Sequence, residues 1–135
     1  MSINSSQPLS IIHQDDDLVA INKVSGLLVH RSPIDKHETR FAVQELRNQL
    51  GRHVYPLHRL DKPTSGVLMF ALSNEAASFY SQQFRDHQVR KTYLALVRGH
   101  GPETMSIDHS LRDEGDKYAG IELGGKAKEA LTHVQ

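Results

Sequence analysis

The chain has 135 residues, with 16 Lys+Arg against 16 Asp+Glu, 38% hydrophobic and 24% charged residues, and no cysteine. That composition suits one folded domain and excludes disordered and collagen-like chains. The missing cysteines exclude a disulfide framework, thiolate chemistry and cysteine-ligated zinc. The longest apolar run, residues 67–72, is far short of the roughly 20 residues a membrane helix needs. The polar start, residues 1–8, lacks the apolar stretch of a signal peptide and reads as a flexible N-terminus. A cytoplasmic protein with no membrane partner is the expectation.

In chain order, residues 9–13 and 18–22 read as two short strands, joined by a turn at Asp15-Asp16-Asp17. Gly26 breaks the next segment, and residues 27–29 resume an apolar strand. Residues 38–50 carry apolar side chains at helical spacing, and Gly51 stands where a left-handed cap ends a helix. Residues 54–60 read as a strand, residues 61–66 as a Pro- and Gly-punctuated loop, and residues 67–72 as a buried strand. Ser73 suits the N-cap of a helix over residues 74–86, with Ala76, Ala77, Phe79, Tyr80 and Phe84 on its apolar face. Further strands are expected at residues 92–97, 105–111 and 130–134, with a mobile loop over 120–128. Consecutive strands without intervening helices predict an α+β fold: a mixed, mainly antiparallel sheet with helices packed on it.

The neutral total conceals a gradient. Residues 58–100 hold the cations Arg59, Lys62, Arg85, Arg90, Lys91 and Arg98 against Asp61, Glu75 and Asp86, and the remaining residues to 135 are acidic. Such asymmetry marks a localised anion site or is chance scatter. The nine histidines show no spacing that places two on one helical face beside a carboxylate, so no metal site is expected.

Three segments carry chemistry. In His58-Arg59-Leu60-Asp61-Lys62-Pro63-Thr64-Ser65-Gly66, strand alternation turns Arg59 and Asp61 to one face and Leu60 to the other. A carboxylate flanked by Arg59, His58 and Lys62, with Thr64 and Ser65 hydroxyls nearby, suits an anionic substrate. An ordinary ion pair leading into a proline turn fits the same residues. In residues 90–99, Lys91, Tyr93 and Ala95 share a face. A cation beside an aromatic is a recipe for phosphate contact and base stacking, worth about 1–3 kcal/mol per base; a half-buried core tyrosine fits equally. Residues 21–30, with Gly26, form a generic turn between strands.

Taken together and in order, these segments resemble the RluA-type pseudouridine synthases. That family shows Asn-Lys-Pro-x-Gly-Leu, then Arg-Leu-Asp-x-x-Thr-Ser-Gly, then Lys-x-Tyr-x-Ala. Residues 59–66 match the second motif fully; Lys91, Tyr93 and Ala95 match the third; the first departs at Val24, where proline is usual. The resemblance implies isomerisation of uridine to pseudouridine in RNA, without cofactor or metal. Within the family the likeness is greatest to a branch acting on tRNA, at uridine 65. Ribosomal RNA is the alternative target, and an inactive RNA-binding fragment is the alternative role. The resemblance assigns catalysis to Asp61, base stacking to Tyr93 and assistance in extruding the nucleotide to Arg59. Lys91, His58, Thr64 and Ser65 are expected to bind substrate.

A carboxyl group with the ordinary pKa of about 3.9 is ionised at neutral pH. It can attack C1′ as a nucleophile or remove the C2′ proton, and the sequence leaves both routes open. Relatives carry a further motif, Gly-Arg-x-His-Gln-Leu-Arg, that supplies a basic partner for the aspartate. It is absent here, and Ser110 stands where this branch has proline. The chain is therefore expected to be the N-terminal part of a synthase domain, with weak or no activity alone.

Overall fold

The computed structural model describes residues 7–33, 35–112 and 125–135. It divides into two compact units, residues 1–91 and 92–135. The first contains strands β1 (Ser10–Gln14), β2 (Leu18–Lys23), β3 (Tyr55–Pro56) and β4 (Gly66–Ala71), and helices α1 (Ala42–Leu50) and α2 (Asn74–Arg85). The second contains β5 (Met105–Asp108) and β6 (Leu131–Val134), an antiparallel pair. The four-stranded sheet runs β1-β2-β4-β3, with every neighbouring pair antiparallel. The α+β expectation therefore holds.

Period-two alternation builds the core of the first unit. Val19 and Ile21 of β2 and Leu68 and Phe70 of β4 join Ala42 and Leu46 of α1, all fully buried. The opposite face of the sheet offers Leu18, Met69 and Ala71 to Ala76, Ala77, Tyr80 and Phe84 of α2. Ser73 caps α2 as expected: its side chain accepts the Ala76 N–H at 3.1 Å. Phe79 departs from the expected apolar face. It is 61% exposed, and its ring meets that of Tyr80 edge-on with centroids 5.1 Å apart.

Three expected elements of the first unit differ. Residues 27–29 make no strand, because the carbonyls of Leu28 and Val29 accept the Ala42 and Val43 N–H groups at 2.8 and 3.0 Å and so cap α1. That same junction starts α1 at Ala42 rather than at residue 38, with Phe41 extended before it. Gly51 ends the helix in the left-handed conformation, as read from the sequence. The strand over 54–60 shrinks to Tyr55–Pro56, since Pro56 offers no N–H and the chain beyond turns away from the β4 ladder after Leu57 N–H bonds Met69 O.

In the second unit, residues 92–97 form no strand. Backbone N–H and C=O groups hold an extended strand only through a ladder partner, and none is found among the described residues. Leu94 and Leu96 stand 101% and 104% exposed. The strand expected at 105–111 ends at Asp108, with Leu111 joined to Lys128 by an isolated bridge. Residues 1–6 of the flexible start expected at 1–8, and residues 120–124 of the loop expected at 120–128, lie outside the described residues.

Truncating Leu46 to alanine removes a fully buried side chain. It is expected to cost about 2–5 kcal/mol, whereas Ile12→Ala, at a half-exposed site, stays within about 0.5 kcal/mol. Urea denaturation of the two variants checks the difference.

Candidate active site around Asp61

Residues 58–66 run from the end of the β3 segment into β4. Their burial follows the expected alternation: Leu60 is buried, whereas Arg59 and Asp61 are exposed. Leu60 belongs to the α1-side core and anchors the segment. The Thr64 N–H closes a turn on the Asp61 carbonyl at 3.0 Å. Gly66 enters β4 at φ 123°, a conformation that side-chain-bearing residues rarely adopt.

The loop is gripped by the turn after β2. Lys23 continues the row of Val19 and Ile21 and is 0% exposed. Its ammonium donates to Leu27 O at 2.7 Å, Val24 O at 3.1 Å and Lys62 O at 3.1 Å. The Gly26 N–H bonds Lys62 O at 2.8 Å, and the Ser25 hydroxyl donates to Pro63 O at 2.7 Å. Gly26 sits at φ 90°, which lets its N–H face the loop. Burial pushes the Lys23 pKa down, opposed by the charge of Asp61. The sequence reading missed Lys23. The signal was available, since counting by twos from Val19 puts it in the core row.

Lys62 turns its side chain to another segment. Its ammonium lies 2.7 Å from Glu38 Oε1 and 3.2 Å from Asp35 Oδ1. Those hydrogen bonds raise its pKa, Glu38 contributing most. Asp35 and Glu38 also line a cleft of about 400 Å³ with Arg31, Ser32, Pro33 and Lys36. No hydrogen bond or ion pair among the described residues engages the Asp61 carboxylate.

His58 lies half-buried behind the loop. Its Nε2 accepts the Met69 N–H at 3.1 Å, and its ring stacks on Phe84 with centroids 5.1 Å apart. That bond places the proton of the neutral ring on Nδ1, which is buried without a hydrogen-bond partner. Burial lowers the His58 pKa, the Arg59 carbonyl opposes it, and the Lys91 charge lowers it further. Thr64 is half-buried, and Ser65 and Lys91 are exposed. The first unit thus brings His58, Arg59, Asp61, Lys62, Thr64, Ser65 and Lys91 together, while Tyr93, 59% exposed, belongs to the second unit. No cluster of metal-ligating side chains occurs among the described residues, and no helix among them is long and apolar enough to cross a membrane.

Comparison with known proteins agrees with the motifs. The family model described as RNA pseudouridylate synthase matches residues 17–135. The chain is 56% identical over 126 residues to tRNA pseudouridine synthase C of Vibrio cholerae, covering 93% of this chain and 51% of that protein. It is 56% identical over 128 residues to the protein of the same name from Haemophilus ducreyi, covering 94% and 53%. Among solved structures it resembles human RNA pseudouridylate synthase domain containing 1, with TM-score 0.70 and 28% identity over 98% of this chain and 54% of that one. The chain spans about half the length of these relatives.

The depressed pKa of His58 sets a pH dependence. The unfolded ring takes a proton near pH 6.5, whereas the folded ring resists it to lower pH. Stability from this group is complete above about pH 6.5 and falls as pH drops toward the folded pKa. Urea midpoints measured at pH 7 and pH 5 are expected to differ less in His58→Gln than in the parent chain.

Proposed function

Since the chain belongs to the RNA pseudouridylate synthase family, we propose that it carries the catalytic aspartate of an enzyme that isomerises uridine to pseudouridine in tRNA. Asp61 is the acting carboxylate. The observation that supports this most is its setting: an exposed carboxylate, with no hydrogen bond or ion pair among the described residues, on a loop held by three backbone-directed hydrogen bonds from residues 23–26. The identity to tRNA pseudouridine synthase C supports tRNA as the substrate; uridine 65 as the target and the cytoplasm as the compartment are part of the proposal and rest on the motif resemblance alone.

The chemistry follows from the bonds. The N1–C1′ bond of uridine breaks, the uracil turns while still held, and C5 bonds to C1′. C5 loses its proton, N1 gains one, and the atoms balance without cofactor or metal. Asp61 either attacks C1′ and leaves again, or takes the C2′ proton and returns it. A base in a stem must first leave the stack, at a cost of a few kcal/mol. Arg59, exposed beside Asp61, steadies the vacated space, and Tyr93 offers a face for the extruded uracil. Lys91 contributes positive charge toward the RNA backbone, and Thr64, Ser65 and His58 help to bind the substrate.

Deleting the gene is expected to abolish one tRNA pseudouridine in a transcriptome-wide map, restored by the parental gene and not by Asp61→Asn. Loss of a ribosomal-RNA pseudouridine instead would move the substrate to ribosomal RNA. Restoration by Asp61→Asn would remove Asp61 from the chemistry.

A further inference from the structure

Lys23 is the fully buried charge of the first unit, and the chemistry above makes no use of it. An ammonium has three N–H donors and no acceptor. Here all three are spent on carbonyls, at 2.7, 3.1 and 3.1 Å, and none on a carboxylate. Carbonyl dipoles satisfy the donors and leave the net charge uncompensated. An unpaired buried charge is strongly disfavoured, so its retention in an apolar row needs a reason.

The surroundings narrow that reason. On its own strand, Lys23 follows Val19 and Ile21. Across the ladder it faces Gly66, which carries no side chain. From α1, the core receives Ala42 and Leu46, while Glu45 is held by Arg40 at 2.6 Å. Asp35 and Glu38 are engaged by Lys62, whose own side chain points to them. One carboxylate acts on Lys23 electrostatically, and it is Asp61. One of the carbonyls that Lys23 holds is the Lys62 carbonyl, the residue directly after Asp61.

We propose that Lys23 is a positioning residue for Asp61: a buried cation that fixes the backbone of the 61–63 loop and supplies a constant positive potential beneath the exposed carboxylate. The proposal rests on Asp61 as the acting group. It assigns a second, independent task to the same ammonium. Through the Lys62 carbonyl it sets where Asp61 stands; through its charge it adds positive potential to the site. The charge of Asp61 helps Lys23 keep its proton.

Lys23 Nζ, observed by 15N NMR in the labelled chain as a function of pH and without RNA, reads this coupling directly. In Asp61→Asn the Lys23 titration is expected to move to lower pH than in the parent. In Asp61→Glu it is expected to stay near the parent, because the charge is kept. Ser25→Ala deletes a loop tether and keeps both charges, so it is expected to leave the titration in place. Coincident curves for the parent and Asp61→Asn would overturn the proposal. So would a Ser25→Ala shift as large as that of Asp61→Asn, which would assign the effect to loop packing. Where Asp61→Asn does not fold, Asp61→Ser gives the same comparison. A coupled pair in a protein whose gene deletion removes no pseudouridine would cost the functional reading and leave the coupling standing.

Discussion

An ammonium taken out of water must find an acceptor for each of its protons, and in this protein that requirement shapes the site. Lys23 meets it with Val24 O, Leu27 O and Lys62 O. Two of those carbonyls lie on the tight turn after β2, and the third lies 39 residues on, in the Asp61 loop. Satisfying one cation therefore closes a turn and joins it to a distant loop. Gly26 and Ser25 reinforce the junction through Lys62 O and Pro63 O. The sheet supplies the frame: β2 and β4 pair from Leu18–Ala71 to Lys23–Gly66, so the turn and the loop leave the same end of the same ladder. Leu60 pins the other side of the loop into the core. Asp61 emerges between these anchors with its carboxylate in solvent.

The charge balance gains meaning from the same geometry. A total of zero excludes a chain that attracts polyanions over its whole surface. Locally the cations differ in what they are already doing. Lys62 is held by Glu38 and Asp35, Arg40 by Glu45, and Arg31 lies over the Phe41 ring at 5.3 Å. Arg59 is exposed two residues before Asp61, and Arg90 and Lys91 are exposed at the end of the first unit. Exposed cations of this kind give salt-dependent attraction for a phosphate backbone.

Much of this was legible in the sequence, for reasons that can be named. β1, β2 and α2 were readable because strong local signals coincide: apolar runs for the strands and, for α2, Ser73 as cap with apolar residues at helical spacing. The exposed Arg59 and Asp61 flanking buried Leu60 followed from alternation alone. The start of α1 and the fate of residues 27–29 were not legible, because the first N–H groups of α1 are satisfied by carbonyls 14 residues earlier. That is a tertiary choice with no local signature. Residues 92–97 have strand composition, yet an extended segment needs a partner ladder, and composition does not supply one. Lys23 was overlooked for the opposite reason. Its position in the core row was visible, but a lysine invites the assumption that it is solvated, and only the three converging carbonyls show otherwise.

The proposed function requires that an Asp61 held by the 23–26 turn does the chemistry on a uridine in RNA. Bonding C5 to C1′ expels the hydrogen at C5, so tritium placed there is released to water as the reaction proceeds. With tRNA carrying 5-tritiated uridine, the gene product is expected to release tritium from a single site, and the Asp61→Asn protein to release none above background while still binding the tRNA. Equal release from the parental and Asp61→Asn proteins would contradict the claim.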